Sequence, residues 1–119
     1  MEPTRIERTV ELPASREDVW DALTRPGRLS EWFGAEVLEL DARPGGRLMF
    51  RDDVGTIRRA IVETAEPPSV LIFRWLAIEQ DRGGQTRPAP GTTVEFRLAA
   101  TPAGTELTVV ETIGALSRV

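Results

Sequence analysis

The ionisable side chains of this chain are carboxylates and guanidinium groups. The sequence holds 19 Asp and Glu residues and 15 basic residues, all of them Arg, and it contains no His, Cys or Tyr. Without His the chain lacks the usual acid–base group near neutral pH and the commonest zinc ligand. Without Cys and Lys it lacks thiol nucleophiles, disulfides, iron–sulfur ligands and Schiff-base chemistry. Carboxylate catalysis and hard-cation binding therefore remain.

The carboxylates give no specific sign of either chemistry. Asp52 and Asp53 are adjacent in a predicted turn and lack the spaced ligand set of a calcium loop. We therefore expect no metal and no cofactor. A catalytic carboxylate needs an apolar surrounding that raises its pKa, and Glu63 and Glu111 meet that condition only if they point inward. We name no catalytic residue and expect a protein that is not an enzyme.

Two adjacent arginines are the best candidates for a polar contact with a ligand. Arg58 and Arg59 lie in a predicted strand, so one side chain points inward and the other outward. An inward guanidinium is costly unless it is paired, and it can bind a carboxylate or phosphate. The structural alternative is that both arginines lie at strand ends or pair with acids such as Glu63. The sequence leaves open which one faces inward, and we take Arg59 as the candidate.

Length and charge limit the protein class. A chain of 119 residues fits one domain, residues 1–119, with its own core. A net charge of −4 with no basic run argues against nucleic acid and membrane partners. No apolar stretch approaches the roughly 20 residues that span a bilayer, and the N-terminus lacks the apolar centre of a signal peptide. We expect a cytoplasmic protein.

The hydrophobic pattern predicts an α+β fold. One strand is followed by two short helices, the first beginning at Ser15 and the second spanning about 27–33, and then by six more strands. The predicted strands are 4–12, 36–40, 47–51, 56–63, 70–78, 92–100 and 105–113. The segment 79–91 reads as a loop, and 70–78, apolar on both faces, reads as a central strand. Two short helices cannot cover one face of such a sheet, so a ligand, a partner chain or a missing segment must cover the rest.

Several short motifs along the chain together resemble those of the SRPBCC (START/Bet v 1-like) superfamily. Within it they are most similar to the group related to the activator of Hsp90 ATPase (AHSA1-like). The resemblance covers about residues 6–113, and the order and spacing of its motifs make it specific. The motifs are 12–15 (LPAS) with 19–24 (VWDALT), 29–34 (LSEWFG), 43–46 (RPGG), 66–68 (EPP), 93–96 (TVEF) and 104–109 (GTELTV).

The resemblance implies a helix-grip fold, in which a curved antiparallel sheet of six to seven strands encloses an apolar cavity. The sequence stops about where the long C-terminal helix of the family begins, so we expect that helix to be missing or very short. We expect the cavity wall to contain six aromatic residues, although for any one of them a place in the plain core is the more common role. They are Trp32, Phe33, Phe50, Phe73, Trp75 and Phe96.

The implied function is non-enzymatic binding of a small hydrophobic or amphipathic molecule in that cavity. One alternative is a protein-interaction module like the Hsp90 co-chaperones, with a chaperone or a second copy of the chain as its partner. The other alternative is an enzyme of the polyketide cyclase or dehydratase type that uses a buried carboxylate. Self-association into a homodimer would also cover the open sheet face.

Overall fold

A computed structural model describes residues 4–113, apart from the side chains of Trp32 and Phe33. The fold is α+β: one strand, two helices and then seven strands. The elements are β1 (Thr4–Leu12), α1 (Arg16–Thr24), α2 (Pro26–Phe33), β2 (Glu36–Leu40), β3 (Arg47–Arg51), β4 (Ile57–Glu66), β5 (Val70–Gln80), β6 (Thr86–Pro88), β7 (Thr92–Thr101) and β8 (Gly104–Ile113).

Local signals in the sequence set the bounds of the helices. The Ser15 hydroxyl accepts a hydrogen bond from the backbone N–H of Asp18 at 3.1 Å and so caps α1. Pro26 lies in the first turn of α2, and Gly34 ends that helix with φ at 64°. The two helices have nine and eight residues, so no helix of the described chain is long enough to cross a membrane.

Asp21 links the two helices electrostatically. Its carboxylate accepts hydrogen bonds from Arg25, at the junction of the helices, and from Arg28 of α2, the latter at 2.8 Å. These hydrogen bonds lower the pKa of the Asp21 carboxyl below its ordinary value. Both hydrogen bonds span the junction between α1 and α2.

All strand pairs are antiparallel, and the sheet has eight strands. The order is β1-β8-β7-β5-β4-β3-β2, and β6 pairs with the end of β5. The predicted central position of β5 is confirmed. The predicted loop over 79–91 contains a short strand, β6, so the predicted count of six to seven strands was too low. Asp81–Gly84 forms a tight turn, after which β6 pairs with the end of β5.

The core lies on the concave face of the sheet, where the helices pack. Val19 and Leu23 of α1 and Leu29 of α2 contact a layer of strand residues. That layer consists of Val37, Leu48, Phe50, Ala60, Val62, Leu71, Phe73, Val94, Phe96, Leu98 and Leu107. We call this the core face. Alternation along each strand places the intervening residues on the opposite, outer face.

The helices leave the β1 end of the core face uncovered. Val10 lies opposite Leu107 and Ile6 opposite Glu111, so both apolar side chains point to the core face. They are nevertheless 46% and 40% exposed. The expectation of a missing or very short C-terminal helix concerns residues after Ile113, which lie outside the described residues.

Thr105 fastens the turn before α1 to β8. Its side chain is fully buried, and its hydroxyl donates to the Ala14 carbonyl oxygen at 2.7 Å. We predict that Thr105→Val, which keeps the shape but removes this donor, lowers the free energy of unfolding by about 1–3 kcal/mol. Urea unfolding measures the difference.

Thr108→Val is the matched control for that substitution. Among the described residues the Thr108 hydroxyl has one partner, the exposed Thr9 hydroxyl at 3.3 Å. Loss of the Thr108 hydroxyl should therefore change the free energy of unfolding by less than about 0.5 kcal/mol. Equal effects of the two substitutions would contradict the role given to Thr105.

Candidate ligand-binding site

Four aromatic side chains from three strands meet on the core face. Phe50 lies 5.1 Å from Trp75 between ring centroids, Phe73 lies 5.5 Å from Trp75 edge to face, and Phe73 lies 6.1 Å from Phe96. We call these four residues the aromatic cluster. Their ring separations are those of favourable aromatic pairs, so the cluster is a rigid unit.

Burial divides the aromatic cluster into two parts. Phe50, Phe73 and Phe96 are 3%, 1% and 4% exposed and belong to the core. Trp75 is only partly buried and packs against the edge of that core. The cluster therefore presents one surface to ligands, the accessible part of the Trp75 side chain.

Arg58 covers that surface on one side. It lies opposite Phe50 of β3 and Glu79 of β5, which places it on the core face. Its guanidinium carbon is 4.9 Å from the centroid of the Trp75 ring, a distance typical of a cation–π contact.

The guanidinium of Arg58 is incompletely paired. Its Nη2 donates to the Pro90 carbonyl oxygen at 3.3 Å, at the long end of hydrogen-bond distances, and its Nη1 lies 3.9 Å from Glu79 Oε1. Its Nε is buried and has no hydrogen-bond partner among the described residues. Buried donors are almost always satisfied, so this nitrogen calls for an acceptor.

Arg59, the arginine chosen from the sequence, points to the other face. It lies opposite Met49, and its Nη2 donates weakly to Gln80 Oε1 at 3.4 Å. It lines a cavity of about 60 Å³ with Met49 and Leu76. The structure therefore does not bring Arg59 together with the aromatic cluster, because Phe50 and Arg58 share a register position and Arg59 is one residue further along.

The other two predicted wall residues belong to α2. Trp32 and Phe33 end that helix, just before Gly34. Their side chains lie outside the described residues, so their part in a cavity wall stays a prediction.

Sequence reasoning missed a charged pair beside Arg58. Arg87 of β6 lies opposite Glu79 of β5, and its Nε donates to Glu79 Oε2 at 2.7 Å. This hydrogen bond raises the pKa of the Arg87 guanidinium above its ordinary value. The turn signal at 81–84 could have revealed the hairpin and with it this pair.

Two of the carboxylates considered for catalysis or metal binding, Glu63 and Asp52, have structural partners. Glu63 pairs with Arg74 at 3.1 Å on the surface. Asp52 Oδ1 accepts from the backbone N–H groups of Val54 and Thr56, which forms a turn. Among residues 4–113 no group of three or more acidic side chains could hold a metal ion.

The larger cavities lie away from the aromatic cluster. One of about 470 Å³ lies between the turns at 52–55 and 81–84, and one of about 480 Å³ lies between the segments 13–17 and 100–104. Neither contains a residue of the aromatic cluster, whose three phenylalanines fill the space between sheet and helices.

The fold of residues 4–113, a curved antiparallel sheet with two short helices packed on one face, agrees with the helix-grip class of proteins. Residues 13–118 match the family described as activator of Hsp90 ATPase homolog 1-like protein, and the chain belongs to that family. A search of curated proteins finds no match.

Solved structures agree with this assignment. Protein MLL2253 from Mesorhizobium loti is 25% identical with a TM-score of 0.79, over 95% of this chain and 79% of that one. The Aha1 dimer from Colwellia psychrerythraea is 18% identical with a TM-score of 0.75, over 96% and 79%. DynU16, a protein of the dynemicin biosynthetic locus, is 25% identical with a TM-score of 0.70, over 100% and 39%.

The division of the aromatic cluster can be tested by stability. Phe73→Ala should lower the free energy of unfolding by about 3–5 kcal/mol, because it leaves a cavity in the core. Trp75→Ala should cost less, because the ring is partly exposed and removal leaves no enclosed void. Urea unfolding of both variants gives the comparison, and an equal or larger loss for Trp75→Ala would place that ring in the core instead.

Proposed function

We propose that this protein binds a small apolar or amphipathic molecule without transforming it, against the accessible surface of Trp75. The observation that carries the proposal is that a rigid, buried aromatic unit ends in one partly exposed ring. Phe50 and Phe73 hold that ring from two sides. An accessible ring held in place by its neighbours offers a ligand apolar contact area.

The energetics favour such a contact. Each Å² of apolar ligand surface removed from water contributes about 25 cal/mol, before the costs of association. Because the Trp75 ring is held by its neighbours, binding orders few protein side chains. The cost of ordering protein side chains is therefore small, and the burial must offset mainly the lost translational and rotational freedom of the ligand.

The comparisons support a binding role in general terms. The family includes ligand-binding and polyketide cyclase-like proteins. DynU16 comes from a biosynthetic locus for a small molecule, dynemicin. Both findings favour a protein whose partner is a small molecule.

A cyclase-like enzyme would need a free carboxylate beside the aromatic cluster. Glu79 lies opposite Arg58 on the core face, and its carboxylate is already hydrogen-bonded by Arg87 at 2.7 Å. Glu111 lies on the core face opposite Ile6, towards the uncovered β1 end. Binding without chemistry therefore accounts for the site more directly.

Calorimetric titration with three probes tests the proposal: naphthalene-2-carboxamide, naphthalene-2-carboxylate and decanoate. At least one should bind, and Trp75→Ala should weaken its binding about tenfold or more, equivalent to about 1.4 kcal/mol. The proposal fails if none of the probes binds at millimolar concentration, or if Trp75→Ala binds as well as the original protein.

Leu76→Ala is the matched control for Trp75→Ala. Leu76 is the next residue of β5 and lies on the outer face, beside Met49 and Arg59. Its substitution also removes apolar surface from the same strand, yet it should leave probe binding unchanged. Equal losses in the two variants would indicate a general effect on the sheet.

A second candidate function is protein interaction through the uncovered end of the core face. Ile6 and Val10 are exposed there on an edge strand, and one similar structure is the dimer of Aha1. Exposed apolar surface on an edge strand favours association with another chain. A second copy, offering the same strip of side chains, is the partner we propose.

Sedimentation or native mass spectrometry tests this second candidate. The original protein should form a dimer, and Val10→Glu should make it monomeric by placing a charge in the apolar contact. Thr9→Glu is the control, since Thr9 lies on the outer face of the same strand, opposite Thr108. A monomer at concentrations of tens of micromolar would contradict the candidate.

A further inference from the structure

We propose that the molecule bound at Trp75 is a monocarboxylate, and that Arg58 receives its carboxylate through Nε and a neighbouring Nη. This inference rests on the proposed function and adds the chemical class of the ligand. It concerns Arg58, which the sequence left open, in place of Arg59.

The unpaired Nε of Arg58 is the first support. An arginine donates two parallel hydrogen bonds to a carboxylate along one edge of its guanidinium, and the Nε edge is one such edge. Here the Nη atoms have a long bond to Pro90 and a distant Glu79, while Nε has no acceptor among the described residues. The Nε has almost no exposed surface, so the partly exposed Arg58 side chain must shift for a ligand carboxylate to supply the acceptor that this nitrogen lacks.

The place of Arg58 over Trp75 is the second support. The guanidinium lies 4.9 Å from the ring centroid, so the cationic group and the accessible apolar surface are side by side. A molecule with an apolar body and a carboxylate can contact both at once. A purely apolar molecule would leave the Nε unsatisfied, and a small inorganic anion would leave the ring exposed.

The charge balance of the site is the third support. Arg58, Glu79 and Arg87 form one ion-paired group, in which Arg87 holds the Glu79 carboxylate at 2.7 Å and Arg58 lies 3.9 Å away. Glu79 and Arg87 offset one another, and Asp52 and Asp81 act on Arg87 from further away. Arg58 is the cation that lies over Trp75. One guanidinium matches a carboxylate monoanion better than a phosphate dianion.

Arg87 acts as a positioning residue in this arrangement. Because it hydrogen-bonds one oxygen of Glu79, that carboxylate is drawn towards β6 and does not close on Arg58. Without Arg87, Glu79 would be free to pair with Arg58 and compete with the ligand. Arg87, through its place on the short strand β6, therefore leaves the guanidinium of Arg58 available to the ligand.

The test compares naphthalene-2-carboxylate with the neutral naphthalene-2-carboxamide, which has nearly the same shape. The original protein should bind the carboxylate about tenfold more tightly or better, as expected for hydrogen bonds between charged groups. Arg58→Gln should lose this preference and still bind the carboxamide. Arg58→Lys should keep only part of it, because lysine has charge but no planar fork.

Arg59→Gln is the matched control. It removes the same charge from the adjacent residue on the outer face, so the preference for the carboxylate should persist. Circular dichroism checks that each variant is folded. If Arg58→Gln does not fold, Arg58→Lys and the two variants of the charged pair decide the question.

Those two variants should act in opposite directions. Glu79→Gln removes the competing anion and should strengthen binding of the carboxylate, whereas Arg87→Gln releases that anion and should weaken it. Neither change should alter binding of the carboxamide. An effect of equal size on both probes would overturn the positioning role.

The outcomes separate this inference from the proposed function. If naphthalene-2-carboxylate, naphthalene-2-carboxamide and decanoate all fail to bind, the proposed function fails, and the inference fails with it. If the carboxamide binds as tightly as the carboxylate, or Arg58→Gln and Arg59→Gln behave alike, only the inference fails. Tighter binding of 2-naphthyl phosphate than of the carboxylate would assign the site to phosphate compounds instead.

Discussion

The alternation of side chains along β4 is the constraint on which both the core and the site depend. Ala60 and Val62 must face the helices, because they are 0% and 1% exposed in the core layer. Arg58, two residues before Ala60, then shares their face. The strand cannot bury its apolar residues without directing this guanidinium towards the aromatic cluster.

An irregularity in the pairing of β4 with β5 lowers the cost of placing Arg58 on the core face. Ala60 pairs with Trp75, so an unbroken ladder would place Arg58 opposite Ala77. The register shifts between Arg58 and Ala60, and Arg58 instead lies opposite Glu79. A β-bulge of this kind redirects side chains, and here it gives a partly buried cation an anionic neighbour.

Much of the fold follows from local patterns in the sequence. The cap at Ser15, the glycine at the end of α2 and the alternation in the long strands predict the elements because each reflects a short-range preference. The limits of β4, β5 and β6 do not follow in this way, although Gly83 and Gly84 signal the turn before β6. They depend on pairing partners more than five residues distant, and a polar segment such as 86–88 carries no apolar alternation.

The same distinction applies to the candidate site. Phe50, Phe73, Trp75 and Phe96 could be assigned to one face from alternation within single strands. The choice between Arg58 and Arg59 depended on which alternate set of β4 is buried, and the sequence offers two apolar sets, Ala60 with Val62 and Ile57 with Ile61. Glu79 and Arg87 are brought together by the hairpin of β5 and β6, and the sequence had predicted a loop over 79–91.

The filled core changes where a ligand can lie in this protein. The expected cavity under the sheet would have been lined by aromatic rings, yet Phe50, Phe73 and Phe96 are buried in the core and leave Trp75 as the accessible end of the cluster. A ligand at that end is covered on one side only, so burial alone gives limited affinity. Selectivity must then come from the polar group at the rim, and the guanidinium of Arg58 is the group that the packing of β4 places there.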